Sequence, residues 1–166
     1  MALSQKMEQA LNDQMKREFY SAYMYLAMAA YCSAENLPGF AHWLELQARE
    51  EAGHAMRFYR YLEDRNARIR LQALEQPPDG FKSPLDLMQQ VRSHEQMVTQ
   101  EINKLYALAL SEQDYATQTF LHWFIDEQVE EEKMSTQILE RLKLAGDNKS
   151  ALLLIDKELG ARTSSE

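Results

Sequence analysis

Residues 67–83 read ARIRLQALEQPPDGFKS, and they constrain the fold more than any other stretch of the chain. They carry Pro77, Pro78 and Gly80, show no helical period throughout, and separate two long helical patterns. A helix of about 28 residues is about 42 Å long, and about 17 extended residues reach about 56 Å. The stretch can therefore travel the full length of such a helix. An antiparallel neighbour would need only a short turn. The second and third helices are thus expected to run parallel, joined by one crossover, in a four-helix bundle.

The remaining punctuation agrees. Ser4 is placed to cap a first helix running to about Glu35, where ENLPGF breaks it. Pro38 suits the first turn of a second helix that runs to about Asn66. Ser83 and Pro84 open a third helix as N-cap and first residue, with Asp86 favourable in its first turn. A break at 111–114 gives way to a fourth helix ending at Gly146, and Asp147 is the expected cap of a short fifth. The expected organisation is one domain over 1–166, with its bundle at about 4–145, a fifth helix at about 147–160 and a polar tail at 161–166.

Composition narrows the class. Glycine and proline are scarce and short alternating runs are missing, so the chain reads as all-α. Its 26 acids against 18 bases give a net charge of −8, which disfavours a nucleic-acid surface and suits cations. No apolar run approaches the roughly 20 residues of a membrane span, and the amphipathic N-terminus lacks a signal-peptide core. The one cysteine, Cys32, cannot form an internal disulfide and reads as a small buried apolar residue; a reducing cytoplasm is the expected compartment.

Each helical stripe is interrupted by an acid. The stripes read Leu11, Met15, Glu18, Ala22, Tyr25, Ala29; then Phe40, Leu44, Gln47, Glu51, Ala55, Phe58, Leu62. The third reads Met88, Val91, Glu95, Val98, Ile102, Leu105, and the fourth Phe120, Phe124, Glu127, Glu131, Met134, Ile138. Glu18, Glu51, Glu95 and Glu131 each lie within about three residues of their helix midpoint, so in an aligned bundle they meet at one height. Burying one unpaired carboxylate already costs several kcal/mol, and mutual repulsion adds to it unless protons or cations neutralise the group. His54 follows Glu51 by three positions and shares its helix face. Oxygen donors with an imidazole suit iron or manganese, and zinc less exclusively. Gly53, beside His54, either serves close packing against its roughly 1 kcal/mol helix penalty or is a tolerated neutral change.

Glu18 with Tyr25, REEAGHAMRF in the second helix, Glu95, and WFIDEQVEEE in the fourth together resemble the bacterial non-haem ferritins over nearly the whole chain. Symmetric di-iron proteins carry a second Glu-x-x-His. Here the fourth helix offers Glu127-Gln128-Val129-Glu130, as in the non-haem ferritins. The resemblance implies a ferritin-like fold and a ferroxidase centre. One iron would be held by Glu18, Glu51 and His54, and a second by Glu95 and Glu131, with Glu51 bridging. A third, looser site would use Glu50, Glu127, Glu130 and Glu131. Gln128 would stand close to the second iron, while Tyr25 would hydrogen-bond the centre and supply an electron, a part open to Trp123 as well. Haem-binding relatives use a methionine directly after the bridging glutamate; Ala52 occupies that position here and Met56 lies a turn on, so no haem is expected. The acids that line animal ferritin channels are matched by Gln118 and Leu121, which leaves the entry route open.

The resemblance also implies a homo-oligomeric cage of 24 subunits that oxidises Fe²⁺ with O₂ or H₂O₂ and deposits ferric oxo-hydroxide. ALLLI, at 151–155, is apolar all round on a helix too short to stand alone and must be buried against the bundle or another subunit. His42, His94 and His122 have no partner at ligand spacing and read as surface or interface residues. Two other classes remain. A rubrerythrin-like di-iron peroxidase would not store mineral, and the chain has no Cys-x-x-Cys pair to feed one electrons. A non-catalytic helical interaction protein would keep its buried acids protonated or paired.

Overall fold

The structure, a computed structural model, describes residues 2–164; Met1 and the last two residues of the expected tail, Ser165 and Glu166, lie outside that range. The described residues form five helices and no strands: α1 Gln5–Ala34, α2 Pro38–Asp64, α3 Pro84–Ser111, α4 Tyr115–Ala145 and α5 Lys149–Gly160. None is long and apolar enough to cross a membrane. Ser4 Oγ accepts from Met7 N, and Ser83 Oγ accepts from Asp86 N, so two helices begin on the residues chosen from sequence. The fifth helix is capped by Asn148, whose Oδ1 accepts from Ala151 N, and not by Asp147. Both types cap well, and only the register of the preceding turn selects between them.

The crossover runs where the linker length required. Asn12 on α1 bonds the backbone of Arg68 and Arg70 at 2.9 and 2.7 Å. Further along α1, Lys16 meets Glu75 at 2.7 Å, and Tyr31 packs edge-on against Phe81. The linker thus follows α1 from its first turns to its last. It delivers the start of α3 to the end of the bundle where α2 also starts, while Ser4 and Glu112 meet at the other end. Helices α2 and α3 are therefore parallel. Helix α1 packs along α2 and α3 along α4, and α5 lies across α2 and α4.

The apolar core comes in two parts. One gathers Met28, Phe40, Leu44, Leu87, Met88 and Val91; the other gathers Leu11, Met15, Phe58, Leu62, Ile102 and Phe124. Between them lies a buried polar layer: Gln14, Glu18, Ser21, Gln47, Glu51, His54, His94, Glu95, Gln128, Glu131 and Ser135. Burial of the two apolar parts stabilises the bundle strongly enough to carry this layer, which by itself opposes folding.

Two stripes sit differently from the sequence reading. On α4 the inward face is Thr117, Leu121, Phe124, Gln128, Glu131, Ser135 and Ile138, while Phe120, Glu127 and Met134 are only half-buried. On α1 the interior residue is Ser21 and not Ala22. In both cases a small or amide side chain takes an interior place that an apolar pattern assigns to its neighbour.

Candidate metal centre

Four helices each send one carboxylate into the polar layer, and Glu18, Glu51, Glu95 and Glu131 are all 2 % exposed or less. Two donor triads form there, Glu18–Glu51–His54 and Glu51–Glu95–Glu131. In each, one ligand atom per residue lies within 4.8 Å of the others, and Glu51 belongs to both. His54 Nδ1 stands 3.2 Å from Glu51 Oε2 and 3.9 Å from Glu18 Oε2.

The electrostatics are those of a site built for cations. Burial is the main cause that raises Glu131 to about 8 and Glu18 to about 7, with Glu95 adding to both. Glu51 is raised well above the carboxylate range by burial and then by the charges of Glu95, Glu18 and Glu131. Burial also lowers His54 to about 4, leaving its imidazole neutral with a lone pair to offer near neutral pH. Glu131 Oε1 is buried without a hydrogen-bond partner. A buried oxygen of this kind is costly unless something cationic or protic fills the space before it. The donor set fits iron: oxygen-rich, with one imidazole, on rigid helices.

Uncharged side chains hold the acids in place. Gln14 Nε2 donates to Glu18 Oε1 at 2.7 Å, and Gln47 Nε2 donates to Glu131 Oε2 at 2.8 Å. Tyr25, fully buried, donates its hydroxyl to Glu95 Oε1. Gln128 Nε2 reaches Glu95 Oε2 and its backbone oxygen, each at 3.2 Å. Gln14 was not singled out from sequence, and Gln47 stood in the second stripe with no role assigned to it.

The other predicted residues fall outside the triads. Glu127 is half-buried with an oxygen 4.0 Å from His54 Nε2, and burial followed by Glu130 and Glu50 raises its pKa. Glu130 is exposed, and Glu50 is held by Arg162 at 2.9 Å. These acids line an open pocket of about 850 Å³ beside His54, but they form no third converging group among the described residues. Trp123 packs edge-on to the His54 ring at 5.2 Å and lies under the Arg57 guanidinium at 3.7 Å.

Several expectations are corrected. A Cβ on Gly53 would meet nothing within 4 Å, so close packing does not explain that glycine. His94 is buried and bonded to Ser21 Oγ at 2.7 Å, not a surface residue. His42 is half-buried, 2.7 Å from the Arg162 carbonyl, and His122 is exposed and stacked on Tyr106. Leu121 is fully buried in the core.

The chain matches the ferritin family, described as a ferritin-like domain, over residues 8–145. It is 44 % identical over 164 residues to a bacterial non-heme ferritin of Staphylococcus aureus, covering 99 % of both chains. The chain belongs to the ferritin family. A Staphylococcus haemolyticus ferritin is 40 % identical over the same length. Among solved structures, the open-pore ferritin of Archaeoglobus fulgidus superposes with a TM-score of 0.97 at 44 % identity, over 98 % of this chain and all of that one. The ferritin bundle and the observed helices thus coincide from end to end, α5 included.

Proposed function

We propose that this ferritin stores iron and oxidises it on the way in. Iron storage rests on the family; the ferroxidase step rests on one observation, that Glu51 is shared by two adjacent donor triads in a buried layer. In this reading Glu18, Glu51 and His54 hold one Fe²⁺, and Glu95 and Glu131 hold a second with Glu51 between them. The four carboxylates, when ionised, balance the charge of two Fe²⁺. Without metal they retain protons, since Glu18 and Glu131 are raised to about 7 and about 8. Iron displaces those protons. Oxidation consumes two Fe²⁺, one O₂ and two H⁺ and yields two Fe³⁺ and H₂O₂; with H₂O₂ as oxidant the products are two Fe³⁺ and two H₂O. Two Fe³⁺ leave the same four carboxylates under-compensated, and a buried excess of positive charge favours hydrolysis and departure as oxo-hydroxide.

Burial raises Glu95, and the hydroxyl that Tyr25 donates opposes that rise in part while holding the carboxylate in place. A third position would draw on Glu50, Glu127, Glu130 and Glu131, with Glu50 released from Arg162 to take part. Storage requires an enclosed interior, so the chain acts as a homo-oligomer, with 24 copies as the expected number. Cys32 is buried with no disulfide partner, in keeping with a reducing cytoplasm. Ala52 faces a pocket lined by Phe19, Tyr23 and Leu26 and brings no thioether to it, in keeping with a haem-free protein.

Aerobic Fe²⁺ loading with particle size and mineral content measured together tests the reading. The wild type should oxidise Fe²⁺ rapidly into a large mineral-bearing particle, and Glu51→Ala should lose the fast phase while still assembling. Wild-type kinetics in Glu51→Ala would refute the bridging role. A two-subunit particle without mineral would favour the peroxidase alternative.

A further inference from the structure

The residue directly after α5 and its capping Ala161 is wired into the metal centre. Helix α5 is seated on α2 by backbone contact: a Cβ on Gly39 would lie 1.6 Å from Asp156 O. Asp156 Oδ1 also accepts from Phe40 N at 2.8 Å, near the start of a helix whose own N-cap, Leu37, offers no side-chain bond. This seating fixes the chain at Arg162, whose carbonyl lies 2.7 Å from His42 Nε2. From there the guanidinium turns back into the bundle. Its centre stands 5.0 Å from the Trp43 ring centroid, Nη1 reaches Gln47 Oε1 at 2.6 Å, and Nη2 reaches Glu50 Oε2 at 2.9 Å.

The chemistry of that contact determines what Gln47 can do. Arginine has donors only, so the Gln47 atom facing it must be the amide oxygen. The amide NH₂ is then turned the other way, toward Glu131 Oε2 at 2.8 Å. Gln47 is fully buried, so bulk solvent does not reach it to satisfy another orientation. With Oε2 engaged, the partnerless Oε1 of Glu131 is the oxygen left for a metal. Inside the bundle the first triad has a parallel arrangement, Arg17 Nη1 to Gln14 Oε1 at 3.4 Å and Gln14 Nε2 to Glu18 Oε1 at 2.7 Å. The second triad draws its arginine from the C-terminal segment instead.

We propose that Arg162 is a positioning residue for the second iron position, acting through Gln47 on Glu131 and at the same time holding Glu50 away from the centre. The inference rests on the paired-iron reading above. It makes metal affinity at one position, and not at the other, depend on a side chain that follows α5.

Co²⁺ binding to the assembled, metal-free protein tests this, with the visible absorbance of Co²⁺ as the readout. Two backgrounds isolate the positions: Glu18→Ala leaves the second triad, and Glu95→Ala leaves the first. Arg162→Leu keeps an apolar stem over Trp43 but removes the fork. In the Glu18→Ala background it should weaken Co²⁺ about ten-fold, the low end for loss of a group that orients a ligand. In the Glu95→Ala background the constant should stay within about two-fold of its parent, since Gln14 and Arg17 are untouched. Unchanged binding in both backgrounds overturns the proposal, and so does an equal loss in both, which would mark Arg162 as merely structural. Should Arg162→Leu fail to assemble, Gln47→Leu cuts the same relay without touching α5 and must show the same one-sided loss; its absence overturns the proposal. If neither background binds Co²⁺ before Arg162 is changed, the paired-site reading itself fails.

Discussion

Replacing Glu131 with glutamine should make the metal-free protein less sensitive to rising pH. Glu131 is raised from 4.5 to about 8 in the folded chain, chiefly by burial and then by Glu95. A raised carboxylate contributes its stability below the unfolded value and loses it as pH rises through the folded value, because the unfolded chain ionises first. Between pH 4.5 and 8 this loss runs at about 1.4 kcal/mol per pH unit. By pH 7, about 2.5 units above the unfolded value, it amounts to about 3 kcal/mol. Glutamine cannot ionise, and its oxygen can still accept from Gln47. Its NH₂ would take the place of the partnerless Oε1 and cost roughly 1–3 kcal/mol as a buried donor. That cost is independent of pH, so the slope is the diagnostic quantity and the offset is not. The Glu131 charge also raises Glu51, so its removal shifts the remaining acids in the same direction. Guanidinium denaturation of the metal-free protein, followed by tryptophan fluorescence at fixed protomer concentration between about pH 5 and pH 8.5, measures both curves. The gap should move in favour of Glu131→Gln by about 2.5 kcal/mol between about pH 5 and pH 7. Parallel curves would refute the claim that this carboxyl is held protonated by its surroundings.

Three further outcomes are expected. Anaerobic Fe²⁺ binding at about pH 6.5 should release protons held by Glu18 and Glu131, and the release should shrink above about pH 8.5, where both are already ionised. A pH-stat that records no proton release at the lower pH would contradict the raised values. Tyr25→Phe removes a hydroxyl that offsets part of the burial-driven rise of Glu95, so metal affinity at the second position should fall by about ten-fold and the loss should deepen toward acid pH, as Co²⁺ binding would show. Gly39→Ala forces α5 off α2 by placing a Cβ 1.6 Å from Asp156 O, at a cost of about 1–3 kcal/mol in chemical denaturation; unchanged stability would mean that α5 is not seated on α2 in solution.

What could be seen in the sequence follows the strength of the physical signal. The crossover was visible because chain length is a hard limit: 67–83 must span a helix, and contacts from Asn12 to Tyr31 show that it does. The four interior acids were visible because a carboxylate in an apolar stripe carries a large cost that demands compensation. The amides were less so: Gln47 stood in its stripe without a role, Gln128 was placed only by the family resemblance, and Gln14 was not singled out. Glutamine is common on helix surfaces, and its cost when buried is met by a single well-aimed hydrogen bond. The same weakness displaced the α4 stripe, where Gln128 and Ser135 take interior places that the apolar reading assigned to Glu127 and Met134.

Arg162 lay further from view. It follows the last helix, its partners are 115 and 112 positions away, and no periodicity links them. Only the seating of α5 on α2, through Asp156 against Gly39 and Phe40, brings that guanidinium to Gln47. The glutamates that bind are thus a local property of four helix faces, whereas their orientation is a property of the whole fold. A change at the C-terminus of the described chain can therefore reach Glu131 without altering one residue of the bundle.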